Sequence, residues 1–298
     1  MKGKLIVIAG TNASGKSGLG VEMALRFQGE IVSADSRQVF RGLDLGSGKI
    51  TREEMRGVPH HLIDVCEPGD FFSMADFQHL AFAAIDDILS RGKTPFLVGG
   101  TGLYVDSVAE GYQLSDRAPD LSLRAHLETF DTPALYEMLR EKLPDTEIDP
   151  RNRNRVMRAL ERLAADDYHP SRREQRYDTL KIGVTWPREI LKRRIDERLE
   201  TRLRQGMVEE VKGLMEQGVS TEFLMKLGLE YRYITRYLLG EIPYDQMVLE
   251  LGNAIKKFAK RQMTWFRREE NLHWLDMGGE PAEEAAGLIS AFLQSSDA

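Results

Sequence analysis

Gly10-Thr11-Asn12-Ala13-Ser14-Gly15-Lys16-Ser17 sets two glycines around four residues and follows them with Lys-Ser, the spacing of a phosphate-binding P-loop. Backbone N–H groups and a helix N-terminus can surround phosphate oxygens there, Lys16 adds a point charge, and the Ser17 hydroxyl can ligate magnesium. A plain strand-to-helix turn would need the glycines but not the Lys-Ser pair, so phosphate binding is the favoured reading. A nucleotidase built on this loop normally ends a neighbouring apolar strand in an aspartate that holds magnesium. Here Phe96-Leu97-Val98 runs into Gly99-Gly100-Thr101 instead. The pattern predicts a phosphate cradle that does not hydrolyse ATP. Asp35, following Ser33-Ala34, is the carboxylate best placed beside it, because ligands of open parallel sheets bind at strand C-terminal ends. It could serve as a base or cap the next turn.

Such residues need elements to position them. Residues 5–9 are a short apolar run rich in β-branched side chains, which reads as a strand buried on both faces. A helix over 17–27 and a strand over 30–34 complete a β-α-β unit, which predicts a parallel sheet. A helix over 77–90 and a strand over 95–98 continue the pattern. Residues 121–130, 133–143 and 153–165 then read as helices with no strand between them. A strand is expected over 180–186, and helices over 188–217, 231–239 and 244–269. The expected fold class is α/β, a P-loop NTPase-like parallel sheet flanked by helices. Residues 1–115 and 177–298 would form the core with its C-terminal helices, and 116–176 a small helical insertion.

The chain's 298 residues carry 41 Lys+Arg against 47 Asp+Glu, a net charge of −6, which excludes a general polycation for coating nucleic acid. The charge is unevenly distributed, however. Residues 151–204 hold 16 basic and 9 acidic side chains, a local +7, whereas residues 1–150 hold 15 and 23. One cysteine, Cys66, allows neither an intrachain disulfide nor a Cys-based zinc site and fits a reducing, cytoplasmic setting. No apolar run approaches the roughly 20 residues of a membrane span, and no signal-peptide core is expected. His60 and His61 are adjacent, lack a metal constellation and read as structural.

Several blocks in order carry a family resemblance: Gly10 to Ser17; Ser33-Ala34-Asp35-Ser36-Arg37-Gln38; Pro59-His60-His61-Leu62-Ile63-Asp64; Val98-Gly99-Gly100-Thr101-Gly102-Leu103-Tyr104; Arg155-Val156-Met157-Arg158-Ala159-Leu160-Glu161; and Lys260-Arg261-Gln262-Met263-Thr264-Trp265-Phe266-Arg267. Together the chain resembles the tRNA dimethylallyltransferases over nearly its whole length. The resemblance implies attack by the N6 amine of the adenosine 3′ of the tRNA anticodon on C1 of dimethylallyl diphosphate, expelling pyrophosphate. The P-loop would then hold a leaving group, which accounts for the missing hydrolytic carboxylate. By the resemblance, Asp35 would accept the N6 proton and Thr101 would hydrogen-bond the bridging oxygen. Gly10, Thr11, Asn12, Ala13, Ser14, Gly15, Lys16 and Ser17 would bind the diphosphate with Arg198, and Mg2+ would sit at Ser17. Ser36, Arg37 and Gln38 would meet the flipped adenine, and Arg151, Arg153, Arg155, Arg158, Lys260 and Arg261 would meet tRNA.

Each role has a plainer alternative. Gly-Gly-Thr-Gly can be a sharp turn, and the arginines of 151–204 can be a solvated helix face with i,i+4 partners. Transfer to AMP, ADP or ATP would need no basic insertion, and a P-loop small-molecule kinase rests on Lys16-Ser17 alone. The partners expected are tRNA, through its anticodon stem-loop, and dimethylallyl diphosphate, with no membrane and a monomeric enzyme. Where the family generally has Ile-Gly-Tyr and then a basic or polar residue, this chain reads Leu227-Gly228-Leu229-Glu230-Tyr231-Arg232.

Overall fold

Strand β1 (Lys4–Gly10) buries Leu5, Ile6, Val7 and Ile8 completely, and a strand apolar on both faces needs cover on both. Helix α1 (Lys16–Arg26), strand β2 (Gly29–Ala34), a short helix α2 (Arg52–Met55), strand β3 (His60–His61), helix α3 (Met74–Ser90), strand β4 (Thr94–Gly99) and helix α4 (Gly102–Ala109) follow. The computed structural model describes residues 2–115, 120–168 and 172–295. Within 112–174 lie α5 (Leu121–Glu128), α6 (Thr132–Lys142) and α7 (Arg153–Ala164). The chain resumes with strand β5 (Asp178–Thr185), then five helices from α8 (Arg188–Arg204) to α12 (Tyr244–Phe266), strand β6 (Leu272–Asp276) and helix α13 (Pro281–Gln294).

All six strands are parallel, in the order β3-β2-β4-β1-β5-β6. Alternate side chains go to opposite faces: Leu5, Val7, Val32 and Leu97 pack on Phe77, Ile85 and Val108, whereas Ile6, Ile8, Ile31 and Val98 pack on Leu19, Met23 and Ile289. Register then does the positioning. Ala9 and Ala34 both pair with Gly99, so the P-loop after β1, Asp35 after β2 and Thr101 after β4 leave the sheet side by side.

Helices α8, α9 (Met207–Glu216), α10 (Thr221–Leu227), α11 (Leu229–Leu238) and α12 build a separate apolar cluster with Val39, Phe40 and Leu43. The single helix expected over 188–217 is two, because Gly206 adopts φ 101° between them, a conformation that stops an α-helix. Gly-Gly-Thr-Gly is more than a sharp turn: its Gly102 opens helix α4, and Thr101 is the N-cap. Strands β3 and β6 and helices α2, α4, α10 and α13 are additions to the elements that the sequence pattern predicts.

The chain divides into two compact units, residues 1–111 with 175–298, and residues 112–174. The expected boundary at residue 116 lies outside the described residues. The second unit has its own core of Leu127, Leu135, Leu139, Val156 and Leu160. Its buried Glu161 accepts from Arg124 at 2.6 Å and Arg158 at 3.0 Å, which compensates the burial of that carboxylate. In the first unit, buried Glu30 is clasped by Arg91, Lys93 and His61, and the Arg91 hydrogen bond foremost holds its carboxyl well below the usual range.

Candidate active site

The loop between β1 and α1 turns on Gly15, whose φ of 92° suits glycine where the helix must start at once. Its rear is fixed from the β5–α8 connection, where Trp186 Nε1 donates to the Ser14 carbonyl at 3.0 Å, and from α8, where Arg194 Nε donates to the Ala13 carbonyl at 2.9 Å. The Ser14 hydroxyl is buried with no partner among the described residues, a donor that an anionic oxygen would satisfy.

One cavity gathers Asn12, Lys16, Ser17, Asp35, Gln38 and Arg198, residues from three segments far apart in sequence. Lys16 is 9% exposed, and burial lowers its ammonium to about 8, with Asp35 pulling the other way. Asp35 is 8% exposed and accepts the Arg37 backbone N–H at 3.0 Å. Gln38 has one orientation imposed on it: its oxygen accepts from Ser33 Oγ at 3.2 Å while its amide donates to the Gly48 carbonyl at 3.3 Å. Arg198 Nη2 donates to that same carbonyl at 3.3 Å. Glu210 of α9 anchors the segment carrying Gly48, accepting from the N–H groups of Asp44, Leu45 and Gly46 at 3.1, 2.6 and 3.0 Å.

Two further cavity groups escape sequence reasoning. Arg202, one helical turn beyond Arg198, is lowered to about 10 by burial and then by Arg198 itself. Glu230 is buried and pairs with Arg37 Nη1 at 2.7 Å and Arg202 Nη1 at 3.8 Å. It lies in the segment Leu227-Gly228-Leu229-Glu230-Tyr231-Arg232, which departs from the usual family pattern. Arg37 is therefore held by a buried carboxylate, 3.9 Å from Asp35, and its guanidinium lies over Phe258. Four cations, Lys16, Arg37, Arg198 and Arg202, face two carboxylates, an excess of positive charge in a concave site suited to a polyanion.

Thr101 adjoins this cavity through Ser36: its Oγ1 accepts the Ser36 N–H at 3.1 Å and donates to Ser36 Oγ at 3.4 Å. The two histidines separate. His61 lies on Glu30 at 2.8 Å, and His60 lines a second recess with Lys16, Ser17, Asp35 and Val98. His60 Nδ1 lies 2.8 Å from the Val58 carbonyl, and burial lowers its pKa.

The sequence model described as IPP transferase matches residues 38–269. The chain belongs to the IPP transferase family. It is 44% identical over 294 residues to a tRNA dimethylallyltransferase 2 of Shewanella sediminis, covering 96% of this chain and 97% of that relative. Among solved structures, the full-length tRNA isopentenylpyrophosphate transferase of Bacillus halodurans superposes with TM-score 0.77 at 37% identity, over 98% of this chain and 97% of that one. A eukaryotic dimethylallyltransferase acting on tRNA gives 0.83 at 25% identity, over 98% of this chain and 79% of that one.

Other candidate residues of this IPP transferase are not among those that line the cavity. Arg151, Arg153, Arg155 and Arg158 belong to the unit of residues 112–174. Arg158 holds Glu161, Arg153 donates to the Glu128 carbonyl at 3.1 Å, and Arg151 pairs with exposed Asp149. Arg155 is exposed. Lys260 lines a cleft with Trp186, Leu191, Lys192 and Met263, and Arg261 lies over the Phe258 ring at 5.5 Å. Among the described residues no helix is long and apolar enough to cross a membrane.

Behind Thr101, the IPP transferase chain buries Asp106, which accepts from Trp265 Nε1 at 2.8 Å. Burial first, then Glu269, raises its carboxyl from 3.8 to about 6. A folded-state pKa above the unfolded one gives stability that is present below about pH 4 and lost as pH rises through 6. Asp106→Asn keeps an oxygen for Trp265 and removes that loss. We expect the variant to melt a few degrees above the parent at pH 7.5, by about 1–3 kcal/mol, with the gain fading towards pH 4. A thermal melt at pH 7.5 equal to or below the parent's would contradict this.

Proposed function

We propose that this chain transfers the dimethylallyl group of dimethylallyl diphosphate to N6 of the adenosine immediately 3′ of the anticodon in tRNA, releasing pyrophosphate. The observation that carries the reading is the convergence of Lys16, Asp35 and Arg198 on one cavity in a chain that belongs to the IPP transferase family. In the proposed mechanism, the P-loop and Lys16 hold the diphosphate, and Arg198 and Arg202 face it from α8. The adenine N6 lone pair attacks C1, the C1–O bond breaks, and Asp35 takes the N6 proton. Thr101 donates its hydroxyl to the bridging oxygen as negative charge develops there. Gln38, fixed by Ser33 and Gly48, offers an oriented amide to the base.

Magnesium fits the residues present. Ser17 on the cavity wall offers a hard oxygen to it. Ser17 would hold the ion with diphosphate oxygens and water completing its shell. When bound, it supplies charge neutralisation on the departing pyrophosphate.

Offering the protein undermodified tRNA and AMP in parallel, each with dimethylallyl diphosphate, tests the acceptor. Prenylation of tRNA with AMP unmodified is expected; prenylation of AMP alone would replace this reading with that of an adenylate prenyltransferase. Arg155 supplies a further check on tRNA contact. Arg155→Glu is expected to weaken tRNA binding by about tenfold at about 100 mM salt and to lower the salt slope by about one, because one phosphate contact is lost. An unchanged titration would remove Arg155 from the RNA-contacting surface.

A further inference from the structure

Gln262 stands in the Lys260–Arg267 block without a role assigned to it, yet its side chain ties two loops of the site together. It lies on α12 and is 7% exposed. Its Oε1 accepts the backbone N–H of Asn12, in the P-loop, at 2.9 Å. Its Nε2 donates to the carbonyl of Gly100, one residue before Thr101, at 2.9 Å. A carboxamide can accept from one loop and donate to the other in the same position.

Three residues on, Trp265 grips the far side of Thr101. A side chain on Gly102 would collide with the Trp265 ring, so only glycine lets the indole lie this close, and Asp106 fixes the indole N–H. Helix α12 thus contacts the chain on both flanks of Thr101 and, through Gln262, the phosphate loop as well.

We propose that Gln262 is a positioning residue that sets the separation between the diphosphate cradle and Thr101. This rests on the proposed function, in which the cradle holds the leaving pyrophosphate and Thr101 meets its bridging oxygen. Both groups act on one departing group, so their spacing decides whether the hydroxyl reaches that oxygen as the C1–O bond lengthens. A displacement of about 1 Å at such a contact costs roughly 10²-fold in rate. Ground-state binding of the diphosphate, made by Lys16 and the loop amides, does not need the Thr101 contact.

The experiment is steady-state and single-turnover prenylation by Gln262→Met, which keeps the side chain's length and removes both hydrogen bonds. The parent protein run alongside shows whether prenyl transfer occurs at all, so failure of the functional reading is seen in the parent and not in the variant. We expect kcat and the single-turnover rate to fall about 100-fold, with KM for dimethylallyl diphosphate and Kd for tRNA within about threefold of the parent. A purely structural role would lower the melting temperature without this split. Gln262→Glu, which keeps an acceptor for Asn12 but sets an oxygen against the Gly100 carbonyl, is expected to lose rate likewise and serves if the Met variant is unstable. A folded variant of either kind with kcat within about threefold of the parent would overturn the proposal. So would a loss confined to tRNA affinity, which would make Gln262 a direct RNA contact.

Discussion

Asp35→Asn is expected to slow prenyl transfer by about 10³-fold while leaving tRNA affinity within about twofold, because it removes the proton acceptor and keeps the side chain's shape. The asparagine oxygen can still accept the Arg37 N–H that Asp35 accepts at 3.0 Å, so the turn after β2 keeps its shape. Glu230 keeps Arg37 engaged at 2.7 Å, so the guanidinium is not left as an unpaired buried charge. A rate loss in this variant therefore reports chemistry and not collapse of the site. Single-turnover kinetics with saturating tRNA measure it directly. A variant that retains more than about a third of the parent rate would show that another group, or water, takes the N6 proton.

Lys16→Met is expected to lower kcat/KM for dimethylallyl diphosphate by about 10²–10³-fold, since it deletes the buried cation of the cradle. The same change should stabilise the protein without ligand. Lys16 is lowered from 10.5 to about 8 by burial, so folding at neutral pH bears the cost of keeping that ammonium charged. A folded pKa below the unfolded one makes the parent gain stability as pH rises from about 8 towards 10.5. The Met variant lacks that rise, and near neutral pH it should exceed the parent by up to about 3 kcal/mol. Opposite effects on function and on stability distinguish a functional cation from a structural one. Loss of both would mean that Lys16 mainly holds the P-loop, through its 3.3 Å bond to the Thr11 carbonyl.

What is legible in the sequence of this chain is local. A P-loop is eight consecutive residues, and β1 announces itself by an apolar run that only a doubly covered strand can use. Asp35 follows from the rule that strand ends face the ligand, and the register of Ala9 and Ala34 against Gly99 supplies the physical reason. The groups that sequence reasoning misses are those whose meaning depends on distant partners. Gln262 meets Asn12 across 250 positions, and Glu230 meets Arg37 across 193. Glu230 does leave a trace, since it falls in a segment that departs from the family pattern, but its role needs the buried cavity to be understood. His60 and His61 are identical in type and adjacent, and only the fold sends one to the recess beside Lys16 and the other to Glu30. Charge density is informative in part: of the four arginines Arg151, Arg153, Arg155 and Arg158, the last neutralises a buried glutamate, which no count of basic residues distinguishes from a phosphate contact.

Nucleoside mass spectrometry tests the proposed reaction most directly. Undermodified tRNA is incubated with the protein, magnesium and isotopically labelled dimethylallyl diphosphate, then digested to nucleosides and mapped by fragment. Labelled N6-dimethylallyladenosine is expected, confined to the position immediately 3′ of the anticodon, with one pyrophosphate released for each group transferred. Label absent from adenosine, or spread over adenosines elsewhere in the tRNA, would contradict it.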